Sequence, residues 1–174
     1  MEDIVIHIRT AVANDAALIA DFSRRTFFES FAQYNTAENM RLYLDEQFPR
    51  ERQMAEVGAP GRMFLLAYLG DRLVGFASLR ESDPPEGLKG ENGIEIVQLY
   101  SDRETIGKGV GPALMQACLD TARSQGRDCV WLGVWENNHR AKAFYAKWGF
   151  ERFGEHIFIV GLDAQTDWWM RRRL

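Results

Sequence analysis

Between residues 93 and 134 the chain changes its hydrophobic rhythm three times, and that order limits the folds open to it. Gly93 to Ser101 carries the apolar, β-branched pattern of a strand. A loop with glycines at alternate positions follows, Ile106-Gly107-Lys108-Gly109-Val110-Gly111, and then a helical pattern from Pro112 to Gln125 with Gly126 at its C-cap position. Cys129 to Val134 is a continuous apolar run, as expected of a strand covered on both faces. Strand, glycine loop, helix and buried strand in that order indicate a layered α/β domain.

The flanking segments fill in that domain. Ile4 to Ile8 alternates as a first strand. Asn14 and Asp15 can start a helix whose apolar residues Leu18, Phe22, Phe27 and Phe31 recur at helical spacing. Thr36 marks the start of a second helix that runs through Leu42 and Leu44 to Phe48 and is closed by Pro49. A short polar helix precedes the turn Gly58-Ala59-Pro60-Gly61. Met63–Leu69 and Leu73–Leu79 form a hairpin around Gly70-Asp71-Arg72, and 82–87 is a loop. Asn138 to Trp148 reads as a short helix ended by Gly149, and Phe150 to Met170 as two strands turning near Gly161-Leu162-Asp163. At 174 residues the chain suits one domain, 1–174.

Composition narrows the function classes. Apolar residues make up 46% and charged residues 26%, an ordinary globular balance. A net charge of -4 argues against a nucleic-acid partner and is compatible with a cationic substrate. Met1-Glu2-Asp3 is acidic where a signal peptide is basic, and no stretch has the length of a membrane span, so the expectation is cytoplasmic with no membrane partner. Cys118 and Cys129 are read as reduced core residues, and no metal-ligand spacing is present.

The glycine loop is an anion site in outline. Glycines allow close approach and positive φ, so consecutive N–H groups can face one anion, and the helix N-terminus adds its dipole. Lys108 can add a point charge. A Walker A loop is excluded because Lys108 is followed by Gly109, and a dinucleotide loop because the spacing is G-x-G-x-G after a run of strands.

Downstream, Asn138-His139-Arg140-Ala141 continues to Phe144-Tyr145 and ends in Gly149-Phe150. Together with the loop, this order resembles the GNAT superfamily of Gcn5-related N-acetyltransferases, whose pattern is Q/R-x-x-G-x-G/A, a strand, and an N-x-x-A-x-x-F-Y helix. A closer likeness, in Thr26–Ala32, Asn35–Met40, His156–Phe158 and Gln165–Asp167, is to the PaiA-type spermidine/spermine acetyltransferases. The resemblance implies a GNAT fold, a mixed twisted sheet of about seven strands flanked by helices. It implies acetyl-CoA as co-substrate, no metal, and a small-molecule amine acceptor. One position departs from the pattern: Ile106 stands where Gln or Arg is usual, so backbone amides and Lys108 must carry the phosphates.

The resemblance also assigns roles. Leu99, Tyr100 and Ser101 present main-chain groups to the pantetheine arm and thioester, and Ile106, Gly107, Lys108, Gly109, Val110 and Gly111 hold the pyrophosphate. Tyr145 is the candidate general acid for the thiolate, its alternative a core tyrosine. Glu95, read by period two as sharing a face with Val97 and Leu99, is the candidate base, its alternatives a salt-bridged glutamate or a water relay. Asn138 is a helix N-cap that can also touch pantetheine. Lys142 and Lys147 are candidates for the 3′-phosphate end of CoA, and Met115 and Leu119 are core. Glu29, Tyr34, Glu38 and His156 are acceptor candidates, acid and aromatic groups being suited to alkylammonium. Trp168 and Trp169, if exposed, could form a homodimer patch. Two other functions stay open: acetylation of a protein N-terminus or lysine, and CoA binding by a regulator without turnover.

Overall fold

The computed structural model describes residues 5–174; the start of the expected first strand at Ile4 lies outside them. Seven strands form one mixed sheet: β1 (Ile6–Thr10), β2 (Arg62–Leu69), β3 (Arg72–Arg80), β4 (Gly93–Ser101), β5 (Cys129–Trp135), β6 (Glu151–Val160) and β7 (Asp163–Arg173). Their spatial order is β1-β2-β3-β4-β5-β7-β6. Every neighbouring pair is antiparallel except β4–β5, which is parallel. The helices are α1 (Ala16–Phe31), α2 (Ala37–Gln47), α3 (Arg50–Glu56), α4 (Val110–Ser124) and α5 (His139–Lys147).

Alternation along β2 and β3 separates the two faces. Leu65, Ala67, Ala77 and Leu79 join Ile94 and Ile96 under α4, where Leu114, Met115, Cys118 and Leu119 are fully buried. Phe64, Leu66 and Phe76 point the other way, onto Ile19 and Phe22 of α1. A third cluster joins α1, α2 and β6 through Phe27, Tyr43, Phe48 and Val160. Leu18, expected on the apolar stripe of α1, is exposed instead. Both cysteines are buried, and desolvation pushes the Cys118 thiol up to about 12 and Cys129 up to about 11.

Local signals explain the helix boundaries. The Thr36 side chain accepts from the Asn39 N–H at 3.1 Å and so caps α2. Asn138 caps α5 in the same way, its Oδ1 accepting from the Ala141 N–H at 3.1 Å. Helix α4 begins at Val110, two residues before the expected Pro112. Proline fits anywhere in the first turn, because the N–H it lacks would have no partner there, so it marks the turn rather than its first residue.

A β-bulge in β4 overturns one sequence expectation. Ser78 pairs with Gln98 and Leu79 with Ile96, which leaves Val97 as an extra residue. Leu99 therefore packs on the α4 side with Ile94 and Ile96, while Glu95 shares the α1 side with Gln98. Period two cannot register the added residue. Gln98 bridges three elements there: its Oε1 accepts from Ser78 Oγ at 3.0 Å and its Nε2 donates to Ser23 Oγ at 2.9 Å.

Gly75 of β3 lets α4 and β4 meet. A Cβ there would stand 2.7 Å from Tyr100 O, 2.9 Å from a Val110 methyl and 3.1 Å from Leu114. Gly75→Ala is expected to destabilise the protein by about 1–3 kcal/mol through this overpacking. An unchanged urea midpoint would show that the layers can separate at no cost.

Candidate active site

The parallel pairing of β4 with β5 lasts three residues, Gly93↔Cys129, Ile94↔Val130 and Glu95↔Trp131. Past that point each strand keeps its other neighbour: β4 stays with β3 as far as Ser101↔Gly75, and β5 stays with β7 as far as Trp135↔Asp167. The two strands part, and the sheet opens along residues 96–101 and 132–135. The Asp102 N–H bonds to Val74 O of β3 at 2.7 Å, so by alternation the main-chain groups of Leu99 and Ser101 turn the other way, into the opening. Those of Tyr100 face β3, which differs from the role expected for its backbone.

The glycine loop closes the top of this opening. Gly107 and Gly109 take φ of 81° and 87°, conformations open to glycine at little cost. The first internal bond of α4 runs from the Ala113 N–H to Gly109 O, which leaves the N–H groups of Val110 and Gly111 without helical partners. The loop is held by its own turn, the Lys108 N–H donating to Thr105 O at 3.0 Å. It is also anchored by Asp102, a buried residue whose Oδ1 and Oδ2 accept from Arg25 and Arg72 at 2.8 Å each. Ile106 and Lys108 point to solvent. The ring of Phe144 lies 3.6 Å from where a Gly111 Cβ would stand, which sets α5 beside the start of α4.

Tyr145 follows Phe144 on α5 and packs partly buried against the core under α4. Desolvation, with a smaller contribution from Cys118, pushes its phenol up to about 12. A group that keeps its proton through neutral pH can donate it. On the other face, burial drives Tyr100 well above the ordinary tyrosine range.

Glu95 is buried and engaged. Arg80 donates to its Oε2 from Nε at 3.0 Å and Nη2 at 2.8 Å, and Ser82 Oγ donates at 2.8 Å. It sits at the closed apex of the opening, in register with Trp131.

The acceptor candidates divide. Tyr34 is exposed and stands 5.0 Å from the ring of Trp135, which the ring of Phe31 also meets at 6.0 Å. His156 stacks on Trp169 at 3.9 Å. Both candidates lie on the face that carries Trp135. Glu29 instead pairs with Arg25 at 3.3 Å, and Glu38 lies in the exposed first turn of α2, where an acid complements the helix dipole. The Asn35 and Gln165 side chains join at 2.9 Å, and Asn39 Oδ1 accepts from the Leu162 N–H at 3.1 Å, which fastens α2 and the residues before it to the β6–β7 hairpin.

Two further expectations are corrected. The Lys142 ammonium lies 3.8 Å over Trp168, held by the ring's negative face, and Arg152 covers the same ring at 4.4 Å. Lys142 is thus turned onto the sheet, while Lys147 stays exposed. Trp168 and Trp169 are partly buried by these contacts and by the 5.4 Å edge contact of Trp169 with Trp131, so they form no open patch. Asp167 entered the sequence comparison only within the Gln165–Asp167 segment and was given no role of its own; it is buried, in register with Trp135 and His156. Among the described residues no group of three or more potential metal ligands occurs, and no helix is long and apolar enough to cross a membrane.

The profile of the acetyltransferase (GNAT) family matches residues 24–150. The chain is similar to an uncharacterized N-acetyltransferase of Lactobacillus delbrueckii subsp. lactis, 32% identical over 152 residues, covering 87% of this chain and 88% of that protein. An uncharacterized N-acetyltransferase of Mycobacterium bovis is 32% identical over 160 residues, covering 92% and 98%. Among solved structures, the fold is similar to a PaiA N-acetyltransferase from Thermoplasma acidophilum in complex with coenzyme A, with TM-score 0.79, 21% identity and coverage of 98% and 99%. The yncA structure from Salmonella typhimurium, solved with its cofactor acetyl-CoA, has TM-score 0.74, 20% identity and coverage of 98% and 94%.

Asp102→Asn is expected to weaken both arginine bonds and cost about 2 kcal/mol, a fall of roughly 4–8 °C in melting temperature. A melting curve identical to the wild type would show that the loop does not depend on this anchor.

Proposed function

Because the chain belongs to the acetyltransferase (GNAT) family, we propose that it transfers the acetyl group of acetyl-CoA to the primary amine of a small cationic acceptor, in the opening between β4 and β5. The observation that carries this is the parting of the two strands after Glu95, beneath a helix N-terminus and two positive-φ glycines. The free N–H groups of Val110 and Gly111, with the dipole of α4, suit the pyrophosphate. Lys108 adds charge in place of the polar side chain that Ile106 lacks. The pantetheine arm then lies between the strands, where Leu99 and Ser101 supply main-chain partners.

In the transfer step a neutral amine attacks the thioester carbonyl from the α1 side of the sheet. The Leu99 N–H stabilises charge developing on the carbonyl oxygen. As the C–S bond breaks, the thiolate takes a proton from Tyr145, which lies on the α4 and α5 side. The proton lost by the amine leaves through water toward Glu95, whose carboxylate Arg80 and Ser82 keep in place. Aromatic groups and acids on the acceptor side favour an amine that is cationic in solution, in keeping with the polyamine class.

Free-thiol release from acetyl-CoA over a panel of amines tests the activity; bound CoA without release for any amine would overturn it. Tyr145→Phe is expected to lower kcat about 10²-fold or more with acetyl-CoA affinity nearly unchanged, and an unaltered kcat would remove Tyr145 as the donor. The phenol pKa is raised in the fold, so the protonated form persists until pH passes about 12. The kcat profile should therefore show no falling limb between about pH 8 and 10, the range in which an unperturbed tyrosine begins to ionise. Glu95→Gln is expected to lower kcat about tenfold or more, and an unchanged kcat would exclude Glu95 from the proton path.

A further inference from the structure

Gly133 lies in the middle of β5 between buried residues and is nevertheless exposed. Solvent thus reaches the centre of the sheet at that point. A Cβ there would stand 3.4 Å from His156 Nε2 and 3.0 Å from the ring of Trp169, so these side chains form the wall of the cleft and Gly133 its floor. Strand register sets Asp167 beside them, paired with Trp135 on one side and His156 on the other.

The Asp167 carboxylate lacks what a buried acid normally has. The residue is only 9% exposed, and its Oδ1 is buried without a hydrogen-bond donor. The nearest nitrogen to Oδ2 is His156 Nε2, at 3.5 Å and beyond ordinary N–H···O range. Burial first, and the Asp167 charge after it, hold Tyr43 and Tyr100 above the ordinary tyrosine range. Leaving a carboxylate unpaired in such a place is costly unless a ligand completes it. The surrounding rings of Tyr34, Trp135 and Trp169 offer the aromatic faces that receive an organic cation.

Resting on the amine-acceptor reading above, we propose that Asp167 anchors a second, charged nitrogen of the acceptor, so that the protein selects diamines and longer polyamines over monoamines. A carboxylate stabilises the protonated form of whichever amine it holds. The attacking nitrogen must be neutral, so the nitrogen held by Asp167 is one that does not react. Its place fits this division: Asp167 occupies the last β5–β7 pair on the α1 side, whereas Tyr145 packs on the α4 side. It is a specificity residue and takes no proton in the transfer.

Calorimetric titration of the CoA-bound protein with 1,4-diaminobutane and with 1-aminobutane tests the anchor without requiring turnover. Wild type is expected to bind the diamine about tenfold or more tightly than the monoamine. Asp167→Asn should abolish that preference while leaving monoamine affinity within about twofold. The ligand-free melting temperature of Asp167→Asn should be equal to or above the wild type, because an unpaired buried charge has been removed. Equal diamine affinity in the two proteins, absence of diamine binding to wild type, or a preference lost together with a lowered melting temperature would each overturn the proposal. If Asp167-dependent diamine binding persists while no amine releases thiol from acetyl-CoA, the anchor stands and the transfer reading fails.

Discussion

β4 parts from β5 after three residue pairs, and the surroundings of the opening follow from that separation. A sheet interior is normally closed by hydrogen bonds, and main-chain groups left open there must find other partners. Here the two strands separate after three pairs, yet neither frays, because each is secured on its far side. The bulge at Val97 bends β4 within its pairing to β3, and Gly75 lets that pair sit close under α4. The β6–β7 hairpin places β7 along the whole of β5. The opening is therefore a fixed feature of the sheet, with the main-chain groups of Leu99 and Ser101 turned into it.

Around the opening the two faces carry different chemistry. The α4 side supplies a helix N-terminus for phosphate and, through α5, a phenol that holds its proton. The α1 side supplies carboxylates and aromatic rings, with Glu95 tied down by Arg80 and Ser82 and Asp167 left unpaired. In the proposed reaction an anionic co-substrate and a cationic acceptor approach from opposite sides of one sheet. Asp102 joins the halves, since the arginines it binds come from α1 and β3 while its own chain leads into the glycine loop.

Much of this was legible because it is local. Thr36 and Asn138 cap the helices they were expected to cap, and β4 spans the expected Gly93–Ser101. The glycine loop takes the positive φ its residue types allow, and the Asn138–Trp148 segment forms the expected helix. What could not be read depends on contacts between distant residues. The extra residue at Val97 needs the register with β3, and so the shared face assigned to Glu95 and Leu99 was wrong. Lys142 is an ordinary exposed helical lysine until Trp168 is found beneath it. Asp167 has a partner or lacks one only in three dimensions, and it was passed over in favour of Glu29, whose charge Arg25 meets.

Hydrogen–deuterium exchange at single-amide resolution, with and without CoA, reads the main-chain groups of the opening one by one. CoA is expected to slow exchange at Leu99, Ser101, Val110 and Gly111, while Tyr100, already bonded toward β3, changes little. Protection spread evenly over the sheet, or absent from these four amides while CoA is bound, would contradict it.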